Sequence, residues 1–294
     1  MKQRVIVIGD TSSFHLFSKL NFENFMALLT TKYKVLATIP YNYFDPSYIS
    51  YNDFEDAIRG DSELYFKLAQ CDMIIVHGEG LLELEKDFAW VYLYFAKYAK
   101  LILSIPVALV NFCMYDVDRF SEYLYYFDFI ACRDKETYAL LRKKGFIVHL
   151  SFDCCILSFS TSFGLESANW IGLIKGAEYF DVEPGSNTQK LNCCWKWPNE
   201  DGVNFSSALE AIEYLATATS AITSSYHGCI AAFLSGIPFT IAGYVERNRY
   251  FTKHYSLQTE LNMSSANLRK YNDINNIYNS NFNHMLLRAR KNLP

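Results

Sequence analysis

The sequence predicts an α/β protein made of two Rossmann-like domains facing each other across a cleft. Three observations carry this. Short apolar runs alternate with helical patterns along most of the chain, the order of successive βαβ units. Many of these runs end in a polar or glycine-containing turn that opens a helix, which is where open parallel sheets present their ligand sites. The alternation also breaks once, near residues 155–168, and then resumes. At 294 residues the chain is long enough for two ordinary domains, and a hydrophobic content of 51% excludes a disordered chain. We place an N-terminal domain at 1–155 and a C-terminal domain at 156–270, followed by a terminal helix at 271–294.

Residues 4–8, RVIVI, read as the first strand, ending at Gly9-Asp10. Thr11-Ser12-Ser13 leads into an amphipathic helix running to about Leu29. No GxGxxG pattern comes after the strand, so a dinucleotide site is not indicated, although such a turn can hold a phosphate at its helix start. For Asp10 and Thr11 taken singly, a capped turn is the plainer reading. Lys34–Thr38 is the second strand, and residues 40–60 read as a loop with one short helix near Asn52–Arg59. Ser62–Gln70 is another short helix. Cys71–Val76 is a buried strand leading into His77-Gly78-Glu79-Gly80. Glu79, between two glycines at a strand end, is placed to take a proton from a hydroxyl, and the alternative is a turn or cap carboxylate. His77 reads as a satisfied structural histidine.

Residues 83–99 form an aromatic helix, and VALVNF, after Pro106, is the next strand, with Asn111 near its end as a candidate polar contact. Val117–Tyr126 is helical and Phe127–Cys132 is a strand ending in Arg133-Asp134. Lys135–Lys144 is a helix closed by Gly145, and the strand Ile147–Leu150 leads towards Asp153. The guanidinium of Arg133 can bind a carboxylate or phosphate bidentately, or pair with Asp134. In the second half, WIGLI is a strand and residues 176–203 read as a long irregular loop. That loop carries Trp195 and Trp197, which either stack on sugar rings or pack an insertion. Phe205–Ala218 is a helix, Ser220–Thr223 a strand, and Asp273–Lys291 helical.

The chain is organised around the stretch beyond Thr223. The turn Ser224-Ser225-Tyr226-His227-Gly228 opens a helical pattern that stops at Gly236; Ile237-Pro238 leads into the strand Phe239–Ala242, then Tyr244-Val245-Glu246-Arg247. The N–H groups at that helix start favour an anion, and a capped turn with a packed histidine fits equally well.

This block resembles the C-terminal signature of the polysaccharide pyruvyl transferase family, whose members carry Ser-Arg-(Leu/Tyr)-His-Gly at the turn and Tyr-Asp-x-Lys after the next strand. Here Ser225 stands at the Arg position and Arg247 at the Lys position. The block Phe129–Asp153 resembles the family's second signature, and Gly78-Glu79-Gly80 and the Asp10 loop resemble two further family positions. The resemblance implies phosphoenolpyruvate as donor substrate and a sugar of a surface polysaccharide, free or lipid-linked, as acceptor. It places the acceptor on the N-terminal domain and the donor on the C-terminal one. It implies that His227 protonates the enol carbon or assists the phosphate leaving group, and that Glu79 or Asp10 is the base. Arg133, Ser224, Ser225, Gly228 and Arg247 fall at the donor, and Thr11, Ser12, Asn111, Trp195 and Trp197 at the acceptor. Cationic side chains do the charge work, so no metal or other cofactor is expected. The paired-domain layout is the GT-B architecture, and by analogy the terminal helix packs back on the N-terminal domain. Two other readings remain: a GT-B glycosyltransferase with a nucleotide-sugar donor, and a non-catalytic sugar-binding relative.

Composition narrows the partners. A net charge of −4 argues against general attraction to nucleic acid. Eight cysteines occur with no CxxC pair and read as reduced thiols. The apolar run at the N-terminus is too short for a signal peptide and none reaches membrane-spanning length. We therefore expect a cytoplasmic protein, with any membrane contact peripheral and at the inner face.

Overall fold

The computed structural model describes residues 2–44, 50–80, 82, 88–114, 116–151, 153–155, 171–174, 187–193, 202–223 and 225–241. Trp195, Trp197, Ser224, Arg247 and the terminal helix expected at 271–294 lie outside the described residues. The described residues divide into two compact units: unit 1 takes those up to Thr11 and Phe25–Asp153, and unit 2 takes Ser12–Asn24 and those from Cys154 to Ile241.

Unit 1 is a six-stranded parallel sheet. In chain order its elements are β1 (Arg4–Asp10), α1 (Leu16–Thr30, whose residues from Phe25 belong here), β2 (Lys34–Pro40), α2 (Tyr51–Gly60), α3 (Ser62–Gln70), β3 (Met73–Glu79) and α4 (Phe88–Tyr98). Next come β4 (Val107–Phe112), α5 (Val117–Leu124), β5 (Phe129–Cys132), α6 (Lys135–Lys143) and β6 (His149–Leu150). The strand order is β2-β1-β3-β4-β5-β6. Val5–Ile8 and Ile74–Val76 are wholly buried, because strands of a parallel sheet covered on both faces have no solvent side. Helix starts follow the expected capping chemistry: Asp61 Oδ1 accepts from Leu64 N at 2.9 Å and Asp134 Oδ1 from Thr137 N at 2.8 Å. The aromatic helix α4 packs Tyr94 and Phe95 against Phe54 of α2, with ring centroids 5.7 and 4.9 Å apart.

Unit 2 carries a second parallel sheet, of five strands: β7 (Ile171–Ile174), β8 (Thr188–Asn192), β9 (Val203–Asn204), β10 (Ser220–Thr223) and β11 (Phe239–Ile241), in the order β11-β10-β7-β8-β9. Helices α7 (Ala208–Leu215) and α8 (Tyr226–Leu234) lie between β9 and β10 and between β10 and β11. One expectation is corrected here. Residues 176–203 are not wholly irregular, because Thr188–Asn192 pairs in parallel with β7, from Ile171↔Thr188 to Ile174↔Leu191. The segment reads TQKLN, and only Leu191 of it is buried, so no apolar run announced the strand. Its neighbour β9 is a two-residue edge strand. A strand so near the sheet edge draws its stability from the ladder more than from burial.

Both sheets reverse direction once. In unit 1 the chain steps outward from β1 to β2, then returns past β1 to β3 and continues the other way. In unit 2 it runs β7-β8-β9, then returns to β10 on the far side of β7. Such a reversal parts the flanking helices at the carboxyl ends of the two strands concerned, and ligands bind there in open α/β sheets. The relevant ends are those of β1 and β3, and of β7 and β10.

Candidate functional site

In unit 1, three neighbouring strands bend at their carboxyl ends into left-handed backbone: Gly9 on β1 (φ +92°), Glu79 on β3 (φ +42°) and Asn111 on β4 (φ +53°). For Gly9 no other residue fits, since a Cβ there would stand 2.3 Å from the carbonyl oxygen of His77. A glutamate in this region costs about 1–2 kcal/mol, a strain that clusters where function over-determines geometry. Glu79 is 3% exposed. Beside it, His77 is fully buried, with Asn111 Nδ2 2.9 Å from its Nε2. Burial pushes the His77 imidazole down to about 4, so it is neutral, with Nε2 accepting and Nδ1 carrying the proton. Of the residues expected at the acceptor, Asn111 is thus bonded to His77 inside the sheet, Thr11 is buried at the end of β1, and Ser12, in unit 2, is half-buried.

Arg133, at the end of β5, is buried, and its charge is met by Asp153 through Nη1, with the two side chains 2% and 0% exposed. Its Nε donates to Cys113 Sγ at 3.0 Å. The pairing with Asp134 does not form; that carboxylate caps α6. A charge pair this deep persists only because each ion satisfies the other.

In unit 2, β10 delivers the turn into α8. Ser225 is the N-cap, in extended backbone, with Oγ accepting from Gly228 N at 2.9 Å while its own N–H donates to Thr223 Oγ1 at 3.1 Å. A Cβ on Gly228 would stand 2.0 Å from Thr223 Oγ1 and 2.7 Å from Ser225 Oγ, so only glycine lets the helix start approach the strand this closely. His227, 8% exposed, sits in the first turn of α8, where the helix dipole is positive. Its ring meets that of His15 edge-on at 5.0 Å and that of Phe17 at 6.4 Å. Ser18 N donates to His15 Nδ1 at 3.1 Å, and Cys155 Sγ donates to the Phe17 carbonyl at 3.1 Å. Sequence reasoning missed His15, which lies more than 200 residues from His227, at the end of the loop after Asp10.

The sequence matches the profile of the family described as "Polysaccharide pyruvyl transferase" over residues 24–244, well over half of the chain. The chain belongs to the polysaccharide pyruvyl transferase family. Glu79, Arg133, Ser225, His227 and Gly228 fall inside the matched range, whereas Asp10, Thr11 and Arg247 fall outside it. No curated protein matches by sequence. Among solved structures, the fold is similar to a candidate UDP-N-acetylglucosamine 2-epimerase from Listeria monocytogenes (TM-score 0.53, 12% identity, 95% of this chain and 91% of that one). It is also similar to the UDP-GlcNAc 2-epimerase of Neisseria meningitidis bound to UDP-GlcNAc (0.52, 9%, 95% and 94%) and to S. aureus MnaA with UDP (0.55, 9%, 95% and 91%). These likenesses establish the GT-B-type class, with two sets of parallel strands, for this member of the pyruvyl transferase family. No helix among the described residues is long and apolar enough to cross a membrane.

Proposed function

We propose that the protein transfers a pyruvyl group from phosphoenolpyruvate to two hydroxyls of one sugar, forming a ketal. The observation that carries this reading is the family match across the turn that holds His227 at the start of α8. In this reaction the donor's methylene carbon gains a proton and becomes the ketal methyl. The central carbon forms bonds to two sugar oxygens, and its bond to the phosphate oxygen breaks. Of the two hydroxyl protons released, one balances the methyl and the other leaves with phosphate.

His227 is assigned the proton given to the methylene carbon. The first turn of α8, with Ser224, Ser225 and Gly228, is assigned the donor's anionic groups, together with Arg247. Arg133, whose charge Asp153 already meets, is assigned a supporting place at the donor. Glu79 or Asp10 takes a proton from the acceptor hydroxyl. Thr11, Ser12 and Asn111, with Trp195 and Trp197, are assigned to a free or lipid-linked saccharide. No cofactor beyond the donor is required by this scheme, and the site of action is the cytoplasmic side, at most against the membrane surface.

A second donor has one observation in its favour: Ser225 caps α8 where most of the family carries arginine, a cation suited to the pyruvyl carboxylate. A nucleotide sugar, whose diphosphate needs a helix start more than an arginine, is the alternative donor. A non-catalytic sugar-binding relative is the third reading. To test the scheme, the protein is incubated in D2O with phosphoenolpyruvate and a polysaccharide whose pyruvyl ketals have been removed by mild acid, and the product is examined by NMR. Phosphate release together with one solvent deuteron in the new methyl group is expected. Phosphate release without acceptor, or a methyl group free of deuterium, contradicts it.

A further inference from the structure

Beside Glu79, unit 1 buries two hydroxyls that have no hydrogen-bond partner among the described residues: Thr11 Oγ1 and the phenol of Tyr92, 0% and 1% exposed. Tyr92 comes from α4, the helix after β3. Its Cζ lies 3.3 Å from the point that a Gly9 side chain would occupy, so the missing Cβ makes room for the head of the ring at the β1 and β3 ends. Burial raises the phenol well above its usual range, and Glu79, Tyr41 and Asp10 push it further the same way, so the hydroxyl keeps its proton with two carboxylates in its vicinity. Tyr51 and Tyr98 also bury hydroxyls of this kind, but they lie in the packing of α2 and α4, with Tyr65, Glu55 and Arg59 as their charged or polar surroundings. Tyr92 differs in standing at the point where the sheet reverses.

The donor and acceptor pattern selects a ligand. Two hydroxyls that can donate, set beside two carboxylates that accept, repel an anion and leave an apolar molecule with unmatched polar groups. Carbohydrate hydroxyls satisfy both kinds, since each donates once and accepts. We propose that Tyr92, with Thr11 and Glu79, forms a saccharide-hydroxyl subsite at the carboxyl ends of β1 and β3. It rests on the pyruvyl-transfer reading only in taking the bound sugar to be the acceptor.

The full-length protein, Tyr92→Phe and Thr11→Val are compared in two measurements. The first is thermal unfolding without ligand, where the lost hydroxyl is expected to leave the Tyr92→Phe midpoint unchanged or raised. The second is binding, by NMR titration, of D-galactose, D-glucose, D-mannose and N-acetyl-D-glucosamine, and separately of phosphoenolpyruvate. At least one sugar is expected to bind and to lose about ten-fold in affinity in each variant, with phosphoenolpyruvate affinity unchanged. A lowered midpoint for Tyr92→Phe, equal sugar affinity in the variants, or no sugar bound by the native protein overturns the subsite. Tyr92-dependent sugar binding with no phosphoenolpyruvate binding supports the subsite and overturns the donor assignment instead.

Discussion

Arg133 and Asp153 form an ion pair whose side chains are 2% and 0% exposed, tying the end of β5 to the chain just beyond β6. Removing one partner leaves the other charged and buried, which costs about 3–5 kcal/mol, whereas replacing both with apolar residues of similar size is close to neutral. Asp153→Ala is therefore expected to lose that much in urea unfolding, and Arg133→Met with Asp153→Leu to lose far less than the two single changes combined. A single-variant loss below about 1 kcal/mol would show that the pair is solvated.

The turn into α8 makes a second prediction. Ser225→Ala removes the cap on Gly228 N and is expected to cost about 1 kcal/mol. Gly228→Ala forces a carbon to within 2.0 Å of Thr223 Oγ1, so the helix start must move. Its unfolding loss is expected to exceed that of Ser225→Ala, and donor binding to fall with it. Unaltered donor affinity in a folded Gly228→Ala protein would separate the turn from the donor.

His77 gives a pH dependence. Its imidazole sits at about 4 in the folded protein against 6.5 in its ordinary state, so between those values the unfolded chain binds more protons. Stability is then complete above about pH 6.5 and declines as pH falls towards 4, by on the order of 3 kcal/mol in total. Denaturant unfolding of the native protein and of His77→Gln across pH 4–7 should show that slope only in the native protein. Parallel slopes would mean that His77 titrates normally.

Much of the fold was legible because parallel strands buried on both faces write themselves as apolar runs: RVIVI, MIIV and VALVNF stand out in the sequence, and the structure lengthens them at their ends by three residues at most. TQKLN did not stand out, since a strand beside a two-residue edge strand needs few apolar residues. In the site, His227 and Gly228 were legible from the strand–turn–helix order, and Ser225, a residue type suited to an N-cap, proved to be one. Arg133 was legible as a strand-end cation, but its partner was not, because Asp153 lies 20 residues further on and only the tertiary fold joins them. His15 and Tyr92 carried no signal, one lying in a loop and the other in a helix whose many aromatic residues read as core.

His227 is expected to matter to chemistry more than to stability, being the first-turn imidazole beside His15. His227→Ala should fold normally by circular dichroism and lose at least about 100-fold in turnover, the usual share of a general acid. A variant retaining most of its turnover would leave the proton donor to be sought elsewhere, His15 first.

Calorimetric titration of the intact protein with phosphoenolpyruvate and with UDP-N-acetylglucosamine decides between the two donors. Pyruvyl transfer requires saturable binding of phosphoenolpyruvate, expected to be at least ten-fold weaker in His227→Ala, and no binding of the nucleotide sugar. Saturable binding of the nucleotide sugar with no heat from phosphoenolpyruvate would contradict it.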